Sequence, residues 1–277
     1  MTADEVRDGV PLTSLSDPLF DGAEATKRDL VDYLDLVADR FLPGLRGRAL
    51  SVIRVRAGQE PFMQKNLPAY APPWLDRVTH WAESSRREVT YALCNDRRAL
   101  LWFANQRAVE YHPSLSPAER PDRAPHLVLD IDPPAGGPFS VAVAAARLVE
   151  GALDQVGLRG AVKTSGAKGL HVLVPLEDAP ADAAAAATRA LVARAERLDP
   201  DLATTAFLRE DRGGKVFLDA TRSGGATVVA ARTAPASAPG HRSPSPFPGR
   251  SSMLSARPTS RSARPQRCST GRTPGPS

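Results

Sequence analysis

The sequence has few cysteines, few aromatic residues and no long apolar run. Only two of its 277 residues are cysteines, Cys94 and Cys268, and their isolation excludes a disulfide framework or a thiolate zinc site. The first residues lack a basic segment followed by an apolar one, and no stretch of about 18 apolar residues occurs. These absences predict a cytoplasmic chain that is neither secreted nor membrane-spanning.

Acidic residues are absent from the last part of the chain. Residues 232–277 contain eight Arg and no Lys, Asp or Glu, and 27 of these 46 residues are Arg, Pro or Ser. Because the whole chain has a formal charge of only +5, residues 1–231 carry −3. The basic composition is therefore weak support for nucleic-acid binding. We expect residues 1–231 to form the folded domain and residues 232–277 to be disordered.

Within residues 1–231, predicted helices and strands alternate. Apolar spacing and capping residues predict helices that begin after Thr26 and Asp96, and two more over residues 139–156 and 181–198. Short apolar runs predict strands, among them residues 49–55 and 226–231, and a polar loop over residues 61–66. Since the alternation is not a regular βαβ repeat, it favours an α+β domain with mixed or antiparallel sheets flanked by helices.

Three aspartates lie near the ends of predicted apolar strands. Asp130 and Asp132 are in the run LVLDID, where side chains two residues apart share a face. Asp219 ends the run KVFLD. For each aspartate taken alone, a solvated strand end or a turn cap is the more common interpretation. Together they predict a two-metal site for phosphoryl transfer, because buried carboxylates require compensation of their charge.

A short glycine-containing segment, SGAKGLH, follows the first two aspartates in the chain. Ser165 supplies a hydroxyl, Lys168 a cation and His171 an imidazole, and the glycines allow backbone amides to approach a phosphate. The spacing is not that of a Walker loop. A phosphate-binding turn and an ordinary hairpin turn both remain open from these residues alone.

Four further residues have both a structural and a functional interpretation. His112, in YHP, suits a structural histidine, and Arg54 suits a surface charge. Lys65 belongs to a polar QKN segment that suits a turn, while Phe62, just before it, has the character of an aromatic that stacks a base. Their roles cannot be separated by composition or spacing.

Taken in order, these motifs carry a family resemblance. The segments TKRDLVDY, LRGRALSVIR, FMQKN, EYHPSLS, LVLDIDPP, KTSGAKGLHVLVPL and KVFLD run between about Leu12 and Ala231. This ordered set resembles the polymerase domain of the bacterial ATP-dependent DNA ligases of non-homologous end joining, in the archaeo-eukaryotic primase superfamily. The resemblance implies a primase-polymerase fold.

The resemblance also implies a function and its residues. It implies extension of DNA primer ends with deoxyribonucleotides or, preferentially, ribonucleotides, with Mn²⁺ or Mg²⁺, and it implies Ku and an ATP-dependent DNA ligase as partners. By position, it assigns Asp130, Asp132 and Asp219 to metal binding and catalysis, Ser165, Lys168, His171, His112, Arg54 and Lys65 to nucleotide binding, and Phe62 and Lys27 to DNA binding.

The chain departs from the family pattern at three places. Met63 follows Phe62 where the family often has two bulky residues that stack on the template. Near the N-terminus, Asp17 stands close to the position of one of two lysines that hold a downstream 5′-phosphate, and Lys27 matches the other. After Ala231 the family continues with a segment like APYSxR, whose arginine contacts phosphate, whereas this chain reads AARTAP.

One hypothesis explains both the junction and the acid-free tail. GC-rich codons for AAPYSPR that lose a single C encode AARTAP, so a frameshift after residue 231 would produce the observed sequence. Two rivals to an active polymerase follow from the altered end. The chain is then either a non-catalytic module that binds DNA ends or nucleotides, or a product that does not fold stably.

Overall fold

Four α-helices form where apolar spacing and capping residues favour them. The computed structural model describes residues 3–22, 24–82, 86–221 and 231–232. At the start of the first helix, the Thr26 hydroxyl accepts a hydrogen bond from the Asp29 amide. In return, the Asp29 carboxylate accepts from the Thr26 amide at 2.7 Å. Asp96 caps the second helix through the Ala99 amide at 2.7 Å. Both predicted N-caps are confirmed. The helices are α1 (Lys27–Phe41), α2 (Arg97–Asn105), α3 (Phe139–Asp154) and α4 (Ala181–Leu198), with 3₁₀ turns at Leu42–Gly44 and Arg209–Arg212.

Thirteen strands are found in the described residues, and they form three sheets. A small hairpin joins β1 (Glu5–Arg7) and β2 (Val10–Leu12). The six-stranded sheet has the order β13-β7-β3-β6-β5, with β4 also paired to β3. Its strands are β3 (Ala49–Arg56), β4 (Gln59–Gln64), β5 (Arg77–Ala82), β6 (Arg87–Leu93), β7 (Ala108–Pro113) and β13 (Ala231–Arg232).

The five-stranded sheet has the order β11-β12-β8-β10-β9. Only the β11–β12 pair is parallel, and the remaining pairs are antiparallel. The architecture is therefore α+β with a mixed sheet, as predicted. The strands are β8 (Arg123–Asp132), β9 (Ala161–Thr164), β10 (Leu170–Pro180), β11 (Ala203–Thr204) and β12 (Val216–Asp219).

Side chains alternate along β8, so one face of the strand packs against helices and the other carries the aspartates. Leu127, Leu129 and Ile131 are at most 1 % exposed and pack in a cluster with residues of α3 and α4. Asp130 and Asp132 point to the opposite face, because successive strand side chains alternate. The two helices thus anchor one side of the sheet and leave the carboxylates on the other.

A second hydrophobic cluster forms where α1 and α2 pack with the six-stranded sheet. Leu34, Leu100 and Tyr111 are fully buried in it. The Phe103 and Tyr111 rings meet edge to face at 6.0 Å between centroids. Edge-to-face contacts of this kind stabilise a core beyond the area they bury.

The predicted loop over residues 61–66 is wrong for residues 61–64. Strand β4 continues to Gln64 and pairs with β3 across a turn at Gly58, whose φ is +74°. Residues 59–63 of β4 are exposed, so no buried alternation marks the strand in the sequence. Of the predicted strand over 226–231, only the last residue is described, as the start of β13; the remainder and residues 233–277 lie outside the described residues. In the described part of the chain, no helix has the length and apolar character needed to cross a membrane.

Candidate active site

The three predicted aspartates meet on one face of the five-stranded sheet. Strands β8 and β12 are antiparallel, and their register places Asp219 directly opposite Asp130. Asp132 lies two residues further along β8, on the same face. Carboxylate oxygens of the three residues all lie within 4.8 Å of one another.

The burial of two of these carboxylates makes their proximity significant. Asp130 is 5 % and Asp219 is 6 % exposed. Like charges this close and this buried repel strongly unless a cation or a proton neutralises them. Oxygen donors are the ligands that Mg²⁺ and Mn²⁺ prefer. The donor set therefore fits one or two such ions.

His171 continues the row of the carboxylates on the next strand. It lies opposite Asp130 in the β8–β10 register, and its Nε2 is 3.4 Å from Asp130 Oδ1. The residue is 6 % exposed, and its Nδ1 has no hydrogen-bond partner among the described residues. A buried imidazole nitrogen of this kind is available to a ligand that enters the site.

The SGAKG segment forms the turn between β9 and β10. The Ser165 hydroxyl oxygen accepts from the amides of Gly169 at 3.1 Å and Ala167 at 3.3 Å, and the Ser165 amide donates to the Gly169 carbonyl at 2.9 Å. These bonds fix the turn and leave the hydroxyl hydrogen able to donate to an anion. Lys168 is exposed at its tip. His171 thus lies on the same sheet as the aspartates, and Ser165 and Lys168 lie in the turn that joins two of its strands.

A second row of residues runs beside the first on the same face. Phe217 lies opposite Asp132, and Gly169, in the turn just before β10, accepts from the Ser165 amide. The Arg212 guanidinium stacks on Phe217, with its central carbon 3.7 Å from the ring centroid, and it also donates to the Ala206 and Phe207 carbonyls. Arg212 therefore places a positive charge at the border of the site.

Arg54 and Phe62 form a cross-strand pair on the other, six-stranded sheet. They are opposite each other in the β3–β4 register, with the guanidinium carbon 5.4 Å from the Phe62 ring centroid. Arg54 also donates to Gln64 and Tyr70 at 2.8 Å and to the Gln106 backbone at 2.7 Å. Phe62 remains 47 % exposed, so its second ring face is open to a stacking partner.

His112 is paired with a buried carboxylate. Glu110 precedes it by two residues on β7 and is only 4 % exposed, and the His112 Nε2 lies 3.3 Å from the Glu110 carboxylate. A carboxylate beside an imidazole fixes the orientation of the ring. His112 is on the six-stranded sheet, whereas the aspartates are on the five-stranded one.

Lys65 and Lys27 occupy contrasting environments. Lys65 is exposed immediately after β4. Lys27 begins α1 but is only 4 % exposed, and its ammonium donates to the Thr13 carbonyl. Burial, with the nearby Arg107 guanidinium, lowers the pKa of Lys27 to about 8. The adjacent Asp17 forms an ion pair with Arg107.

Three residues of these surroundings are missing from the sequence-based assignment. Lys163 shares a strand face with Ser165, since it lies two residues before it, and this alternation was a readable signal. Glu110 stands at the same spacing before His112. Arg212 gives no comparable signal, because its position depends on the turn at Gly213, where the backbone is left-handed with φ +54°.

Comparisons with known proteins identify the family of this chain. The family model described as LigD, primase-polymerase domain, matches residues 26–239. The bifunctional non-homologous end joining protein LigD of Bacillus subtilis is 35 % identical over 211 residues, which are 75 % of this chain and 33 % of that protein. The multifunctional LigD of Mycobacterium tuberculosis is 34 % identical over 233 residues, or 80 % of this chain and 30 % of that protein.

A solved structure is similar over nearly the same extent. The polymerase domain of Mycobacterium tuberculosis ligase D, in complex with DNA, superposes with a TM-score of 0.74 at 32 % identity and covers 82 % of this chain and 84 % of that one. This similarity confirms the predicted primase-polymerase fold. The chain spans about a third of the length of these curated relatives. By the extent of the family match, the chain belongs to the LigD primase-polymerase domain family.

Proposed function

We propose that this chain is a nucleotidyltransferase that extends DNA primer 3′ ends with ribo- or deoxyribonucleoside triphosphates in non-homologous end joining. The observation that carries the proposal is the cluster of Asp130, Asp132 and Asp219, whose carboxylate oxygens lie within 4.8 Å of one another. In a chain of this family, such a cluster of largely buried carboxylates supports metal-dependent nucleotidyl transfer.

The residues of the site have separate roles in this proposal. The three aspartates hold Mn²⁺ or Mg²⁺, which when bound lower the pKa of the primer hydroxyl and stabilise charge on the leaving pyrophosphate. Ser165 and Lys168 bind the triphosphate from the β9–β10 turn, and His171 orients it beside Asp130. His112 and Arg54, with Lys65, contact the nucleotide from the six-stranded sheet.

DNA ends are the proposed macromolecular partner. The similar solved domain is in complex with DNA, and the relatives are end-joining proteins. Phe62 offers a half-exposed ring for stacking a template base, and Lys27 is the proposed contact to a downstream 5′-phosphate of the DNA. Ku and an ATP-dependent DNA ligase are the expected protein partners, and the cytoplasm, which contains bacterial DNA, is the expected location.

A primer-extension assay tests the proposal. With Mn²⁺, a gapped primer-template and nucleoside triphosphates, the chain is expected to lengthen the primer, and Asp130→Ala is expected to abolish extension. Asp154→Ala is the matched control, because Asp154 is an exposed carboxylate at the end of α3. Circular dichroism establishes that both variants are folded. Undiminished extension by Asp130→Ala contradicts the assignment.

The same assay separates catalysis from binding alone. The rival function, a non-catalytic module for nucleotides or DNA ends, predicts that the wild-type chain binds Mn²⁺ and nucleotide without lengthening any primer. Calorimetric titration with nucleotide, run beside the extension assay, distinguishes these outcomes.

A further inference from the structure

Lys163 completes a row of four charged or titratable side chains across the five-stranded sheet. Pairing between neighbouring strands aligns Asp219 with Asp130, Asp130 with His171, and His171 with Lys163. Directly paired residues of antiparallel strands project from the same face. The row therefore runs from two carboxylates, through an imidazole, to an ammonium group on the edge strand β9.

The environment of Lys163 indicates that its side chain lies along the sheet. Its ammonium donates to the Thr164 carbonyl at 3.2 Å. Burial lowers the pKa of Lys163, while attraction to Asp130 opposes that shift. Val162, its neighbour on the opposite face of β9, is 60 % exposed. Lysines are seldom withdrawn from solvent unless an anion compensates them, so Lys163 is set towards the negatively charged site.

The length of the row also matches the length of a bound triphosphate. Adjacent strands are about 4.8 Å apart, so Lys163 stands about 10 Å from Asp130, beyond His171. A nucleotide with its α-phosphate at the aspartates extends its terminal phosphates over β10 and β9. There, Lys163 on β9 and Lys168 in the following turn flank Ser165 along the chain, so the phosphates would meet two cations and one hydroxyl.

We propose that Lys163 is a further binding residue for the terminal phosphates of the nucleotide and for the pyrophosphate that leaves. This assignment rests on the proposed function of the site. In the reaction, the primer 3′-oxygen bonds to the α-phosphorus, the bond to the β-phosphate oxygen breaks with its electron pair on pyrophosphate, and the hydroxyl proton passes to solvent. Lys163 transfers no proton and contributes positive charge where the leaving group accumulates negative charge.

The test compares Lys163→Met with Lys163→Arg. In Mn²⁺-dependent extension, Lys163→Met is expected to raise the KM for nucleotide and the inhibition constant of inorganic pyrophosphate by about 10- to 100-fold, as for loss of one charged hydrogen bond. In Lys163→Arg, the KM for nucleotide and the inhibition constant of pyrophosphate are expected to return most of the way to the wild-type values, because arginine restores the charge. Affinity for primer-template DNA is expected to stay within about twofold, since the residue contacts phosphates of the nucleotide only.

Arg159→Met is the matched control. Arg159 is an exposed cation just before β9 and off the row, so its removal lowers the net charge equally. Pyrophosphate inhibition that is unchanged in Lys163→Met, or changed equally in Arg159→Met, overturns the proposal. A melting temperature that falls alike in Lys163→Met and Lys163→Arg, without recovery of pyrophosphate inhibition, also overturns it, since the role is then structural.

A direct binding measurement keeps this inference separate from the proposed function. If the wild-type chain lengthens no primer, the polymerase assignment fails, but calorimetry with Mn²⁺ and pyrophosphate still compares the wild type with Lys163→Met. Weaker binding by the variant supports Lys163 as a phosphate ligand. Equal binding overturns it.

Discussion

Gly169 leaves no room for a side chain against the carbonyl oxygen of Ile131. A Cβ at Gly169 would overlap that oxygen and lie 3.2 Å from the carbonyl carbon and 3.5 Å from the Asp132 carboxylate. Since Ile131 separates Asp130 and Asp132 on β8, the close approach of Gly169, just before β10, sets the spacing between these carboxylates and the turn that holds Ser165. The glycine is thus required by the close packing against the β8 backbone.

Gly169→Ala is expected to abolish primer extension. The methyl group must push β10 from β8 because its neighbour is backbone, and overpacking of this kind typically costs about 1 to 3 kcal/mol of stability. Extension rate and urea unfolding check both effects. Gly44→Ala is the control, because a Cβ there meets nothing within 4 Å and its φ is not positive. Equal activity of the two variants would contradict the steric role.

Glu110→Gln is expected to impair the same step as His112→Ala. The amide keeps the size of Glu110 but removes the charge that orients the His112 ring at 3.3 Å. If Glu110 acts through His112, the losses in kcat/KM do not add in the double variant, and the coupling is about 0.5 to 3 kcal/mol. A double-mutant cycle in the extension assay measures this coupling. Additive losses would show that the two residues act independently.

Because of Lys27, the free energy of unfolding is expected to depend on pH in the alkaline range. Burial lowers its pKa to about 8 from the ordinary 10.5. Between these values the unfolded chain binds more protons than the folded one, so the free energy of unfolding rises with pH in that window. Below about 8 the buried charge destabilises the folded state in full.

Lys27→Met removes this dependence. Relative to the variant, the wild type is expected to gain on the order of 1 kcal/mol from about pH 7.5 to about pH 10, less than the full shift implies because solvent screens the charge. Urea unfolding of both proteins at the two pH values measures the difference. A difference that stays constant with pH would contradict the buried charge.

Residues with strong local patterns were predictable from sequence. The apolar run around Asp130 and Asp132 identified β8, and capping at Thr26 and Asp96 identified the starts of α1 and α2. These features depend on neighbours within a few residues. The family resemblance then ordered the separate motifs into one fold.

What escaped prediction depends on contacts between distant segments. Strand β4 is exposed along most of its length, so only its pairing with β3 defines it. The Arg54–Phe62 pair and the row that ends at Lys163 follow from strand register, which one sequence does not specify. The steric role of Gly169 likewise requires the position of the Ile131 carbonyl.

After Ala231 the sequence departs from the APYSxR-like pattern of the family. The family match ends at residue 239, so the final 38 of the 277 residues lie beyond it. Insertion of one C in the codons after Ala231 is expected to restore an APYS-like segment with a phosphate-contacting arginine. Such a frame-corrected protein is expected to extend primers about 10- to 100-fold faster, the gain for one charge-assisted hydrogen bond to phosphate.

Resequencing the locus and assaying both proteins test this expectation. A chain truncated after Arg232 is the control, since it separates loss of the family segment from interference by the substituted tail. If the truncated chain extends primers at the same rate as the present one while the corrected chain is faster, loss of the family segment accounts for the lower rate. If no shifted frame restores family-like residues, or if the corrected protein is no faster, the frameshift does not account for the Arg-, Pro- and Ser-rich end.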